Sequence, residues 1–282
     1  MPPGAIPVNP ALPLRVAAHL AGRAGSALSK RMSRYDFTTQ RLFIDAPLAA
    51  GARIVMDKGQ TNYLVNVLRM REGDPVLIFN GRDGEWRATL AEAGRKGAVL
   101  TADEQSREQT PPSSLHYLFA PIKQARLDYM VQKAVEMGAG LIRPVITRRT
   151  QVTRLNDDRL TANAIEAAEQ CGVLSIPEIA PSEPLNALLA RWPKDEPERR
   201  IIFCDEDETG ADPVSILRGL PKGPFAVLIG PEGGFSPEER EALHKLPFVT
   251  AIPLGPRILR ADTAAVAALA LVQATCGDWI EA

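Results

Sequence analysis

From Leu115 onward, short apolar runs alternate with segments of helical periodicity, and this alternation restricts the fold more than any other feature of the chain. Leu115 to Ala120 reads as a strand. Leu127, Met130, Val131, Ala134, Val135 and Met137 then recur at intervals of three and four, which predicts a helix closed by Gly138 and Gly140. Strand patterns return at Leu141 to Ile146, Arg200 to Cys204, Phe225 to Ile229 and Val249 to Leu254, and helical ones at Asp158 to Cys171, Pro237 to Leu246 and Asp262 to Cys276. Strands separated by helices predict an α/β domain whose parallel sheet is covered on both faces. In such sheets ligands bind beyond the carboxyl ends of the strands.

Upstream the pattern is different. Arg41 to Asp45, Ala52 to Met56, Pro75 to Phe79, Glu85 to Leu90 and Gly97 to Thr101 are short strand-like runs, and Asn80-Gly81 and Asp83-Gly84 are hairpin-turn dipeptides. Tyr63, Leu64, Val67 and Leu68 recur at helical spacing, so several strands and one helix predict a small β-barrel. Glu104 to Ser114, with Pro111-Pro112, reads as a linker, giving a barrel over 36–106 and an α/β domain over 115–282. Residues 1–34 hold five basic and no acidic residues. They read as a disordered extension, either a transit peptide or an over-extended start with Met32 opening the chain, the second being favoured.

Composition excludes several classes. At 282 residues and 45% hydrophobic content the chain can bury two modest cores. Its longest apolar stretch, Ala264 to Ala274, falls short of the ~20 residues a membrane helix needs, so no membrane association is expected. Cys171, Cys204 and Cys276 lie far apart without a CxxC pair, so neither a disulfide framework nor a metal site is expected, and a cytoplasmic location fits. A net charge of −1 argues against non-specific coating of nucleic acid. Between Lys123 and Arg159, however, eight basic residues face four acidic ones, a local excess able to neutralise phosphates.

Two loops carry the chemical signal. Ile229-Gly-Pro-Glu-Gly-Gly-Phe-Ser-Pro-Glu-Glu239 leads from a strand into a helix, with Ser236 as N-cap, Pro237 at the first helical position and Glu239 completing a capping box. Its glycines let a ligand approach the main chain, but the GxGxxG spacing and the lysine of phosphate-cradling loops are absent. The next strand runs into a second loop, Leu254-Gly-Pro-Arg-Ile-Leu-Arg-Ala-Asp-Thr-Ala264. Side by side, two such loops form a slot of backbone donors and acceptors suited to a flat adenine.

On these residues the chain closely resembles the ribosomal RNA small-subunit methyltransferase E family, 16S rRNA uridine-N3 methyltransferases of the SPOUT, or trefoil-knot, class. The resemblance spans about Arg41 to Gln273. Its most specific segments are Ile229-Gly-Pro-Glu-Gly-Gly234 and Leu254-Gly-Pro-Arg-Ile-Leu-Arg260, supported by Tyr63 to Met70, Gly73-Asp74, Lys123 to Glu136 and Glu169-Gln-Cys-Gly172. It implies a knotted catalytic domain after a PUA-like RNA-binding barrel, a homodimer, and S-adenosyl-L-methionine held by Leu228, Gly230, Gly233 and Gly234 in one loop and Leu254, Gly255, Ile258 and Leu259 in the other. The sequence departs from the family pattern at Asp262 (glutamate expected), Asn62 (histidine common) and Val173 (arginine frequent).

Methylation of uracil N3 needs its proton removed and the nitrogen aligned with the methyl–sulfur bond, so positioning supplies much of the rate. Arg260 is the candidate that stabilises the anionic base, weighed against a salt bridge to Asp262 or Glu232; Glu232 is the candidate proton acceptor, weighed against a capping role. Cys171 reads as packing, and His19, His116 and His244 form no cluster. Expected phosphate contacts to 16S rRNA are Arg41, Arg69, Arg71 and Arg82 in the barrel with Lys123, Arg148 and Arg149 beyond it. A SPOUT enzyme acting on tRNA or a ribose hydroxyl, or a catalytically silent assembly factor, would share the fold; the barrel-first order and the Arg-Ile-Leu-Arg segment favour the uridine-N3 family.

Overall fold

The computed structural model describes residues 36, 38–94, 97–152, 154–205 and 210–280; the extension read at 1–34 lies outside the described residues. Every strand run read upstream forms: β1 (Arg41–Phe43), β2 (Arg53–Val55), β3 (Pro75–Phe79), β4 (Glu85–Gly94) and β5 (Gly97–Arg107) make a sheet of order β1-β3-β4-β5-β2. The order is open, with β1 and β2 as its two ends. β1 joins β3 in parallel and the other neighbours are antiparallel.

The upstream helix starts earlier than the spacing predicts and is not uniform. A capping box between Asp57 and Gln60 opens α1 (Lys58–Asn62), and the chain then widens into a π turn over Tyr63–Val67, where the Leu68 amide donates to the Tyr63 carbonyl (2.9 Å). Widening the turn leaves Leu64 as its only buried residue, whereas Val67 is 60% exposed. Arg69 follows with φ of +57°, unusual for a side-chain-bearing residue.

The second part follows the alternation read from the sequence. Its elements are β6 (His116–Phe119), α2 (Gln124–Glu136), β7 (Leu141–Ile146), α3 (Asp157–Cys171), β8 (Glu178–Ile179), β9 (Glu183–Pro184), α4 (Leu185–Asp195), β10 (Arg200–Cys204), α5 (Pro213–Arg218), β11 (Phe225–Ile229), α6 (Pro237–His244), β12 (Val249–Ile252) and α7 (Ala261–Cys276). The strands pair in parallel in the order β12-β10-β11-β6-β7-β8, with β9 beside β7. Strand side chains alternate between two cores. Tyr117, Phe119, Ile202, Val227 and Ile229 pack with α2, α3 and α7, while Leu118, Ile201, Phe203, Ala226 and Leu228 pack with Leu188, Leu189 and Trp192 of α4 and Leu243 of α6. Burial on both faces explains why these strands read as continuous apolar runs.

The five-stranded sheet is joined to the parallel one by shared packing. Phe79 belongs to the core under α2 and α3, and Phe43, edge-on to it at 5.7 Å, packs there too. Polar ties reinforce the joint: the Phe43 amide donates to Glu169 of α3 (2.8 Å), and Arg107 donates to the Gly172 carbonyl (3.0 Å). Arg41, expected to face RNA, is instead buried with its guanidinium 2.7 Å from Glu85, which also takes Arg107 at 3.3 Å. A charge this deep is stable only beside its counter-charge, so Arg41 leaves the set of RNA contacts.

Candidate active site

The two glycine loops leave the carboxyl ends of β11 and β12 and enclose a cavity of about 720 Å³. The first is rigid for local reasons. A Cβ at Gly230 would lie 2.7 Å from the Phe235 ring, and Phe235 is buried edge-on against Phe203. Gly234, at φ +66°, closes a turn by donating to Pro231 (2.8 Å). The capping box then forms as read, with Glu239 N–H donating to Ser236 Oγ (3.2 Å) and Ser236 N–H to Glu239 Oε2 (2.9 Å).

Arg149 and Arg148 brace this loop from outside. Arg149 donates to the Gly233 carbonyl (2.6 Å), while Arg148 donates its amide to Glu239 (2.8 Å) and pairs with Glu238 (3.0 Å). The second loop turns at Gly255, φ +92°, and enters α7 at Arg260, whose side chain makes no capping bond.

Gly230, Gly234, Leu254, Gly255, Ile258 and Leu259 all line the cavity. Leu228 lies fully buried in the core below, and Gly233 faces Arg149, so neither is in the lining. Glu232 and Arg260 are both exposed and both in the lining. Neither alternative weighed for them is formed among the described residues. Ser236 caps α6 in place of Glu232, and Asp262 faces Arg126 at 3.9 Å, not Arg260.

A further wall of the cavity was not legible beforehand. Asp205, just after β10 and with its side chain 1% exposed, holds Arg240 at 2.9 Å and His244 at 2.8 Å, tying α6 to the sheet beneath the first loop. These partners lie 35 and 39 residues away, a distance that no local motif spans. Beside it, burial and the Asp205 charge push the Cys204 thiol up to about 12, which keeps it a neutral packing group. Cys171, read as packing, is instead exposed at the end of α3 and lies outside the cavity lining, with its thiol raised by desolvation and by Glu136.

Of the other expected RNA contacts, Arg69, Arg71 and Lys123 are exposed, and Arg82 makes a loose surface pair with Asp45 (3.7 Å). Among the described residues no three His, Cys, Asp or Glu side chains are grouped to hold a metal, and no helix is long and apolar enough to cross a membrane.

Residues 108–273 match the family of RNA methyltransferase domains, and residues 57–103 match the RNA methyltransferase PUA domain. With a ligand-sized cavity at the carboxyl ends of a parallel sheet, this defines an RNA methyltransferase with an N-terminal PUA-like domain. A ribosomal RNA small subunit methyltransferase E of Rickettsia conorii is 32% identical over 237 residues, 83% of this chain and 94% of that protein. The crystal structure of the same kind of enzyme from Neisseria gonorrhoeae, bound to S-adenosyl methionine, superposes with a TM-score of 0.74 at 26% identity, covering 86% of this chain and 99% of that one. A Legionella pneumophila structure in complex with SAM gives 0.73 at 29% identity, over 85% and 99%. The chain therefore belongs to the ribosomal RNA small subunit methyltransferase E family.

Proposed function

We propose that this protein uses S-adenosylmethionine to methylate N3 of a uridine in 16S rRNA of the small ribosomal subunit. The observation that carries the reading is the cavity between the two glycine loops, with Arg260 and Glu232 in its lining and bound to no other described residue. The cavity fits the cofactor: it has the volume of a nucleoside-sized ligand, and Gly230, Gly234 and Gly255 in its lining carry no side chain to cover the main chain there. Leu254, Ile258 and Leu259 supply apolar walls for an adenine. When bound, the cofactor supplies an electrophilic methyl group on a sulfonium.

The chain's own residues do the rest. Glu232 takes the N3 proton, and Arg260 donates to the uracil oxygens on which the negative charge collects. Arg69, Arg71, Arg82, Lys123, Arg148 and Arg149 hold phosphates, with Arg148 and Arg149 also stiffening the first loop. The π turn and the positive φ of Arg69 support a binding role for that edge, because such rare conformations gather at functional sites. Residues 36–106 act as the RNA-binding module and 115–282 as the catalytic one, working in the cytoplasm as a homodimer. Tyr129 of α2 and Trp279 and Ile280 after α7, 43%, 49% and 55% exposed, are apolar surface that a second copy would cover. Trefoil threading is supported by α7, which leaves the edge strand β12 yet packs against β11, α2 and α5.

The test is transfer of labelled methyl to 30S subunits that lack the modification, with the product nucleoside identified by mass spectrometry. Appearance of 3-methyluridine is expected, and Arg260→Ala should abolish it while sparing cofactor binding. Tight cofactor binding without any methylated uridine would reject the proposed substrate.

A further inference from the structure

Arg126 on α2 and Arg257 and Arg260 in the second loop bring three guanidinium groups to one cavity. A fourth arginine in the lining, Arg240, is committed to Asp205. The three differ from it. Arg257 and Arg260 are exposed and form no ion pair or hydrogen bond among the described residues, and Arg126, with its side chain 40% exposed, meets only Asp262 at 3.9 Å. Among the described residues, the carboxylates of the lining are Glu232 and the already committed Asp205. Arg257 is exposed and lines the cavity, so its guanidinium is open to a ligand that enters there. An oxyanion is the ligand that such an open guanidinium pairs with most strongly.

Building on the function proposed above, we infer that Arg257, together with Arg126 of the same lining, forms an oxyanion subsite for the phosphodiester next to the target uridine. Arg260 is taken up by the base, so a separate cation has to hold the backbone that follows the base into the cavity. A guanidinium suits this position because its planar fork grips a phosphate with two parallel hydrogen bonds. Holding both the base and the adjoining phosphate fixes the rotation of the nucleotide, which alignment of N3 requires. The cofactor's carboxylate is the other source of an oxyanion here, and the experiment separates the two.

Arg257→Ala and Arg257→Lys are compared with the parent for cofactor affinity by calorimetry and for binding of unmodified 30S subunits over a series of salt concentrations. Binding does not depend on turnover, so a parent that binds 30S subunits but makes no 3-methyluridine rejects the proposed function without touching this inference. Arg257→Ala should weaken 30S binding several-fold and lower the slope of log affinity against log salt by about one, the signature of one lost phosphate contact. Cofactor affinity should stay within twofold. Arg257→Lys should restore the slope but not the whole affinity, since it keeps the charge and loses the fork. An unchanged slope in Arg257→Ala would overturn the inference, as would a loss of cofactor affinity with 30S binding intact, which would assign the subsite to the cofactor's carboxylate. Arg126→Ala should repeat the slope change, and its failure to do so would remove Arg126 from the subsite.

Discussion

Replacing Glu85 with alanine should destabilise the protein more than any surface change. Its carboxylate is 1% exposed and lies between Arg41 (2.7 Å) and Arg107 (3.3 Å), whose side chains are 5% and 10% exposed; Ser106 Oγ also donates to it (2.9 Å). Removing one member of a buried ion pair costs about 3–5 kcal/mol, because the remaining charge keeps its desolvation cost and loses its compensation. For a unit of this size each kcal/mol moves Tm by about 2–4 °C, so Glu85→Ala should melt roughly 6–20 °C lower. Calorimetry and urea unfolding at pH 7 measure this directly, and Glu85→Gln, which keeps the volume, should fall between the two. Arg107 also ties the five-stranded sheet to Gly172, so the variant should raise KM for 30S subunits while leaving cofactor affinity alone. A loss below about 1 kcal/mol, the value of a solvent-exposed pair, would refute the assignment of Arg41 to the interior.

Three further outcomes are expected. Gly230→Ala places a Cβ 2.7 Å from a ring already pinned by Phe203, so it should cost about 1–3 kcal/mol and weaken cofactor binding; unchanged calorimetric affinity would remove this loop from the cofactor site. Ser236→Ala should cost about 1 kcal/mol by opening the capping box, with Ser236→Asp recovering most of it in urea melts. Burial, and after it Arg199, pushes the His116 imidazole down to about 4, with Glu196 opposing and Arg143 adding to the shift. Because its folded pKa lies below the unfolded one, its contribution is complete above about pH 6.5 and lost as pH falls through 4, roughly 3 kcal/mol in all. His116→Gln should flatten the stability profile across that window, and a slope identical to the parent's would exclude this histidine as the cause.

Wherever one local rule decided the outcome, the amino-acid order was enough. The change of period near residue 115 announced a parallel sheet, and Ser236, Pro237 and Glu239 announced where α6 begins. The two glycine loops meet at one cavity because they leave β11 and β12, on either side of β10, at the same edge of a parallel sheet. Helix α4 carries no such local mark, because Pro184 and Pro193, at its cap and in its last turn, resemble loop residues, yet Leu185, Leu188, Leu189 and Trp192 bury a full apolar stripe.

Tertiary structure decided what each charge does. An arginine in a strand looks like a surface residue until a carboxylate 44 positions away takes it into the interior, as Glu85 takes Arg41. Likewise Arg149 became a brace through a carbonyl 84 positions away, Asp205 a clamp through α6, and Arg257 and Arg260 were left facing the cavity. Apolar periodicity is set by bonded neighbours and can be read along the chain. The fate of a charge depends on desolvation and on counter-charges that only the folded chain brings within reach.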